Sequence, residues 1–135
     1  MTQPVVLFLC VHNAGRSQIA AAFARRLGAD RITVISAGSD PADSLNPAVT
    51  TAMAEAGLDI TAEVPRIVTD EMARAADVVV TMGCGDACPV YPGTRHLEWD
   101  LADPSGRPLD EVRAIRDEIA GLVGSLVEEL AGPPG

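Results

Sequence analysis

A short apolar run, Val5 to Leu9, passes through Cys10 and a tight polar stretch straight into a helical pattern beginning at Gln18. This opening constrains the fold more than any other stretch, because a strand feeds a loop and the loop feeds a helix N-terminus. Such a junction turns backbone N–H groups and the positive end of the helix dipole into one small cup, which suits a tetrahedral oxyanion. The residues expected to line the cup are Val11, His12, Asn13, Ala14, Gly15 and Arg16, with Gly15 taking the strained backbone of the turn. Cys10 sits at the strand end and Arg16 closes the loop with a fixed cationic fork. Amides, dipole and guanidinium all favour the thiolate over the thiol, and the Ser17 hydroxyl can add a hydrogen bond to it. A nucleophilic sulfur at the floor of such a cup is placed for covalent attack on the bound anion.

The rest of the chain alternates strands with helices. Ile19, Phe23 and Leu27 recur at helical spacing, and Gly28 is expected to stop that helix as a C′ glycine. Ile32 to Ala37 is a second strand, and Gly38 to Leu45 is a polar surface loop. Asn46-Pro47 opens a helix, with Asn as cap and Pro in the first turn, running through Val49 and Met53 to Gly57. Asp59 to Arg66 shows no period and is expected to be loop. Thr69 opens a short helix with acidic residues in its first turn. Val78 to Met82 is a continuous apolar run of the kind a buried parallel strand carries. Arg95 to Trp99 is a fourth strand, flanked by the loops Gly83 to Gly93 and Asp100 to Pro108. Val112, Ile115, Ile119, Leu122, Leu126 and Leu130 form the apolar stripe of a long last helix. The pattern predicts one domain over residues 1–131, with 132–135 as a frayed tail. It also predicts a three-layer α/β/α architecture with a four-stranded parallel sheet in the order 2-1-3-4. Ligands of such sheets lie beyond the carboxyl ends of the strands, so Cys10 and the loops after Met82 and Trp99 share one rim.

Composition narrows the partners. A net charge of −9 and a pI near 4.5 make nucleic acid and anionic membranes poor partners, and leave anion capture to local donors. Three cysteines without a leading signal segment point to reduced thiols and a cytoplasmic setting rather than a disulfide scaffold. No apolar stretch is long enough to span a bilayer. All ten cations are arginine, and the chain has no lysine.

Several residues at the rim keep two readings. Asp103, before Pro104, is either a turn residue or a carboxylic acid that protonates a leaving oxygen and later serves as base. Cys84 and Cys88 are either a redox pair that resolves a product on Cys10 or two bystander thiols. As metal ligands they lack a second pair, so no metal is expected. His12 offers the loop a base or, with its side chain turned away, only its amide. Asn13 is placed to hydrogen-bond across the loop, and Trp99 to pack.

Taken together, the chain resembles the arsenate reductases built on the low-molecular-weight tyrosine phosphatase fold. The likeness rests on Cys10-Val11-His12-Asn13-Ala14-Gly15-Arg16-Ser17, Ser36-Ala37-Gly38, Asn46-Pro47, Val79 to Cys84, and Trp99 through Asp103-Pro104. It implies that Cys10 attacks arsenate, Arg16 and the loop amides hold its oxygens, Ser17 supports the thiolate and Asp103 is the acid. It implies no bound cofactor but an external thiol donor. The thioredoxin-coupled members carry a more widely spaced cysteine pair than Cys84 and Cys88. The loop is closer to that of the class passing arsenate to mycothiol, whose adduct mycoredoxin reduces, and the lysine-free composition fits the high-GC bacteria that make mycothiol. Two alternatives remain: a tyrosine phosphatase of the same fold, lacking here the aromatic residue usual after Asp-Pro, and a non-catalytic oxyanion-binding module.

Overall fold

A computed structural model describes residues 3–83 and 91–132. Cys84 and Cys88 lie outside the described residues. Four parallel strands, β1 (Val5–Cys10), β2 (Thr33–Gly38), β3 (Val78–Met82) and β4 (Arg95–Trp99), form one sheet in the order β2-β1-β3-β4, as the alternating pattern predicts. β1 is the central strand. It pairs Cys10 with Gly38 on one side and Leu9 with Thr81 on the other.

The pleat divides β1 between two cores. Val6, Phe8 and Cys10 face the larger one, built with α1 (Arg16–Gly28), α2 (Pro47–Glu55) and α4 (Leu109–Ala131), while Leu7 and Leu9 face a smaller one. Ala37, Ala76 and Val79 join that smaller core, with Met72 of α3 (Asp70–Ala75) and Tyr91 packed against it. Cys10 thus emerges on the face that α1 covers, at the mouth of the β1–α1 loop. Among the described residues no helix is long and apolar enough to cross a membrane.

Three local expectations need correction. The buried face of α1 is centred on Ile19, Ala20, Ala21 and Ala24, while Phe23 is half-buried and Leu27 is exposed. Alanines let the helix axis approach the sheet, so the larger residues swing to its flank. Gly28 is not the residue that turns left-handed: it remains helical, and Ala29 takes φ +47°. A Cβ at Gly28 would run into the side chain of Ile32, which is what the glycine makes room for. In α4, Val123 and Val127 are buried, whereas Leu122 and Leu130 are only partly so.

α2 carries one wall of the site at its start. Asn46 caps it, its Oδ1 accepting from the Ala48 amide at 3.0 Å, and Pro47 follows in the first turn. At the far end Glu55 accepts two hydrogen bonds from Arg113 of α4, at 2.8 and 2.7 Å. The Arg113 hydrogen bonds hold the Glu55 carboxyl below its usual range. This tie is therefore present above the ordinary glutamate range and is lost as pH falls through the lowered value.

Candidate active site

A loop built of main chain can bind an anion only if its carbonyls are occupied elsewhere. Every carbonyl from Cys10 to Gly15 has such a partner. Cys10, Val11, His12 and Ala14 accept from the amides of Ser39, Asp40, Ala42 and Asn46, at 3.1, 2.8, 2.9 and 3.0 Å. Asn13 accepts from the Gln18 side chain at 3.1 Å, and Gly15 from the Ile19 amide at 2.9 Å. The segment after β2 thus grips the loop from outside. Among the described residues the amides of His12, Ala14 and Gly15 have no hydrogen-bond acceptor, and the Asn13 amide donates to Cys10 Sγ at 3.3 Å. No side chain caps α1 and no acidic residue occupies its first turn, so its N-terminus keeps its positive field.

The strained position of the loop is Asn13, at φ +51°, and not Gly15, whose φ is −139°. Asparagine tolerates that region better than most residues. Gly15 serves close approach instead, since a Cβ there would stand 2.8 Å from Pro104 Cγ. Gly38 is tighter still: its Cβ would meet the Val11 carbonyl oxygen at 2.5 Å and the Asn13 nitrogen at 3.0 Å. Both are backbone atoms that the network above holds in place. Gly38→Ala is expected to cost about 1–3 kcal/mol, measured by denaturant unfolding, and to weaken anion protection of Cys10 from alkylation.

The polarity of the buried side chains follows from one backbone amide. Arg66 N–H can only donate, and it donates to Asn13 Oδ1 at 3.0 Å. Asn13 Nδ2 therefore faces Ser17 Oγ, at 2.7 Å. Having accepted that bond, Ser17 is free to direct its own proton to Cys10 Sγ, 2.9 Å away. Asn13 and Ser17 are fully buried and Cys10 is 2% exposed. The sulfur thus sits against one O–H and one N–H donor.

Arg16 is buried in spite of its charge. Its Nη1 donates to the Leu101 carbonyl at 3.1 Å, and its Nη2 stands 3.8 Å from Asp103 Oδ2. Gly83, at φ +68°, lies directly against the guanidinium, and a Cβ there would collide with Nη1. The loop after β3 therefore seats the arginine by leaving a side chain out. Of the two roles open to it in sequence, Asp103 takes that of the turn residue, with its carboxylate beside the cavity that Cys10 lines. Its Oδ1 accepts from the Ser105 amide at 2.9 Å in an Asx turn, while its exposed carboxylate overlooks Cys10.

These groups surround a cavity of about 330 Å³, whose lining includes Cys10, Arg16, Asp103 and, on the opposite wall, Ala42, Ser44 and Asn46. His12 is also among the lining residues. Its Nδ1 lies 3.0 Å from the Asp40 carbonyl, an acceptor only, so that nitrogen carries the proton. Among the described residues no phenylalanine, tyrosine or tryptophan lines the cavity. Trp99 packs on Phe8 with ring centroids 6.0 Å apart, as expected of a packing residue.

Cys10, Arg16, Ser17 and Asp103 are thus brought to one place. Sequence reasoning missed Gln18, the Arg66 amide, Gly83 and the 39–46 amides. Only Gln18, next to Ser17 in the first helical turn, lay close enough to the motif to be suspected.

A β1–loop–α1 cup of this kind on a 2-1-3-4 sheet defines a phosphatase-like fold. The chain belongs to the low molecular weight phosphotyrosine protein phosphatase family, whose sequence profile matches residues 5–132. Its relatives point further. An arsenate reductase of Staphylococcus aureus strain Newman is 35% identical over 123 residues, covering 88% of this chain and 92% of that protein. A solved arsenate reductase in its phosphate-binding state is 30% identical with a TM-score of 0.83, covering 95% of this chain and 99% of that one. A thioredoxin-dependent arsenate reductase of Corynebacterium glutamicum is 42% identical with a TM-score of 0.80, covering 96% of this chain. This chain spans only 62% of that protein's length.

Proposed function

We propose that this protein reduces arsenate to arsenite, with Cys10 as nucleophile and an external thiol system as reductant. The observation that carries the reading is the donated sulfur of Cys10 under a cavity whose walls hold small and polar side chains. A phosphotyrosine ring would find no aromatic partner there, since Tyr91 packs on the opposite side of the sheet. The names of the relatives support the same choice over a phosphatase or an inert anion module.

In the first step the Cys10 thiolate attacks arsenic in line, forming an S–As bond. The opposite As–O bond breaks, and Asp103 protonates the departing oxygen, which leaves as water. The loop amides and Arg16 hold the remaining oxygens, acting where charge accumulates. Ser17 releases its hydrogen bond to sulfur as the thiolate charge is spent. A donor thiol then completes the reaction. In the mycothiol route its sulfur displaces Cys10 from arsenic, and a mycoredoxin thiol attacks the sulfur of the adduct, releasing arsenite with the electron pair. In the thioredoxin route a protein thiol attacks the Cys10 sulfur, arsenite leaves, and the resulting disulfide is passed on. The lysine-free composition and the close spacing of Cys84 and Cys88 favour mycothiol, while the Corynebacterium relative favours thioredoxin. Both routes place the protein in a reducing, cytoplasmic setting.

Matched assays with mycothiol plus mycoredoxin, and with thioredoxin plus its reductase, decide the donor. Arsenite with mycothiol alone makes Cys84 and Cys88 dispensable, and arsenite with thioredoxin alone makes them a relay. Asp103→Asn is expected to slow formation of the Cys10 adduct about 10²-fold, while arsenate still protects Cys10 from alkylation. Lost protection with an unchanged chemical step would remove Asp103 from the role of acid.

A further inference from the structure

We propose that Gln18 is a positioning residue that sets the reactivity of Cys10 through Asn13. Gln18 is 1% exposed in the first turn of α1. Its Nε2 donates to the Asn13 carbonyl at 3.1 Å and to Asn13 Oδ1 at 3.2 Å. Both of those atoms are acceptors, so the nitrogen has to be the end that faces them. The other end is left over: Gln18 Oε1 is buried with no hydrogen-bond partner among the described residues. A buried acceptor without a partner is destabilising, and an apolar side chain of similar volume would remove that penalty only by leaving the buried Asn13 carbonyl without its donor. What glutamine alone supplies here is the forked donor on Asn13.

That donor holds Asn13 at two points. It satisfies the carbonyl of the one left-handed residue of the loop, and it shares Oδ1 with the Arg66 amide. Asn13 Nδ2 is then presented to Ser17, and Ser17 to the sulfur. Without Gln18, the side-chain orientation of Asn13 rests on the Arg66 amide alone. The Ser17 hydroxyl would then divide its proton between Cys10 and other orientations, and the thiolate would lose a donor.

The inference rests on Cys10 being the nucleophile, yet alkylation of Cys10 needs neither arsenate nor a donor thiol. It therefore stands or falls separately from arsenate reduction. The test measures iodoacetamide modification, assigned to Cys10 by mass spectrometry, together with thermal unfolding and the ultraviolet absorbance of the thiolate. Gln18→Met exchanges one unpaired buried acceptor for another, so its Tm is expected to stay within about 5 °C of that of the unaltered protein. Its Cys10 rate should fall about tenfold, the scale of one charge-assisted hydrogen bond, with a matching loss of thiolate absorbance. Gln18→Glu, which sets an acceptor against two acceptors, should lose more. In a Ser17→Ala background the Gln18→Met loss should shrink below about twofold, because the effect travels through that hydroxyl. A Tm lowered by more than about 5 °C or an unfolded Gln18→Met, or an unchanged Cys10 rate in either Gln18 variant, overturns the proposal. So does a tenfold loss that persists without Ser17. A protein that passes these tests but makes no arsenite would count against the proposed function alone.

Discussion

Cys10→Ser is expected to abolish arsenite formation, by at least about 10⁴-fold, the scale seen when a nucleophile is removed. Two independent reasons converge. A serine hydroxyl at this position would remain protonated, because its neighbours, the Ser17 hydroxyl and the Asn13 amide, are donors rather than bases. The second reason is redox chemistry. Reduction of arsenic from the +5 to the +3 state sends two electrons from sulfur, and the thiols end as a disulfide. In the thioredoxin route Cys10 is one of those thiols, and an oxygen ester at position 10 has no such outlet. The variant should fold, because serine nearly matches the buried cysteine in size. Arsenite release under saturating donor measures the effect, and turnover within tenfold of the unaltered protein would remove Cys10 from the mechanism.

Arg16→Lys should be nearly as damaging, with kcat/KM falling about 10²–10³-fold, as when a preorganised oxyanion donor is lost. The substitution keeps the charge and discards the geometry. The guanidinium is planar, anchored to Leu101 through one nitrogen and held near Asp103 through another, with Gly83 pressed against it. A lysine ammonium is a single point of donation on a flexible stem and cannot occupy both positions. The Leu101 carbonyl would also lose its donor inside the protein. Saturation kinetics on arsenate, with arsenate protection of Cys10 as a second readout, measures the loss. A lysine variant within threefold of the unaltered kcat/KM would show that charge alone suffices and that the fork is not used.

The strand order and the cup were readable from the chain because both are carried by local patterns. Val5 to Leu9, Val78 to Met82 and the residues between Cys10 and Ser17 announce themselves within a few positions. What holds the cup open was not readable, because it is non-local. Asn13 is oriented by the amide of Arg66, 53 residues away, and the loop carbonyls are taken up by residues 39–46. Asp59 to Arg66 shows no period, and nothing in its composition marks one of its amides as the donor that sets the buried network. Glycines misled in the same way. Gly15 suggests the strained position of the loop and Gly28 the helix stop, yet Asn13 and Ala29 take the left-handed conformations. Both glycines instead make room for a partner distant or later in the chain, Pro104 and Ile32. Gly83 is the counterpart that carries both features, a positive φ and a guanidinium where a Cβ would be. Asp103 shows why a turn residue and a candidate acid need not compete, since one carboxylate oxygen makes the turn and the other faces the arginine.

The most direct test of the central claim offers one purified preparation arsenate and an aryl phosphate in parallel, with each reducing system supplied in turn. The account predicts arsenite that depends on Cys10 and on a thiol donor, with aryl phosphate hydrolysis near background. Rapid aryl phosphate hydrolysis without arsenite under either donor would contradict it and make the protein a phosphatase of the same fold.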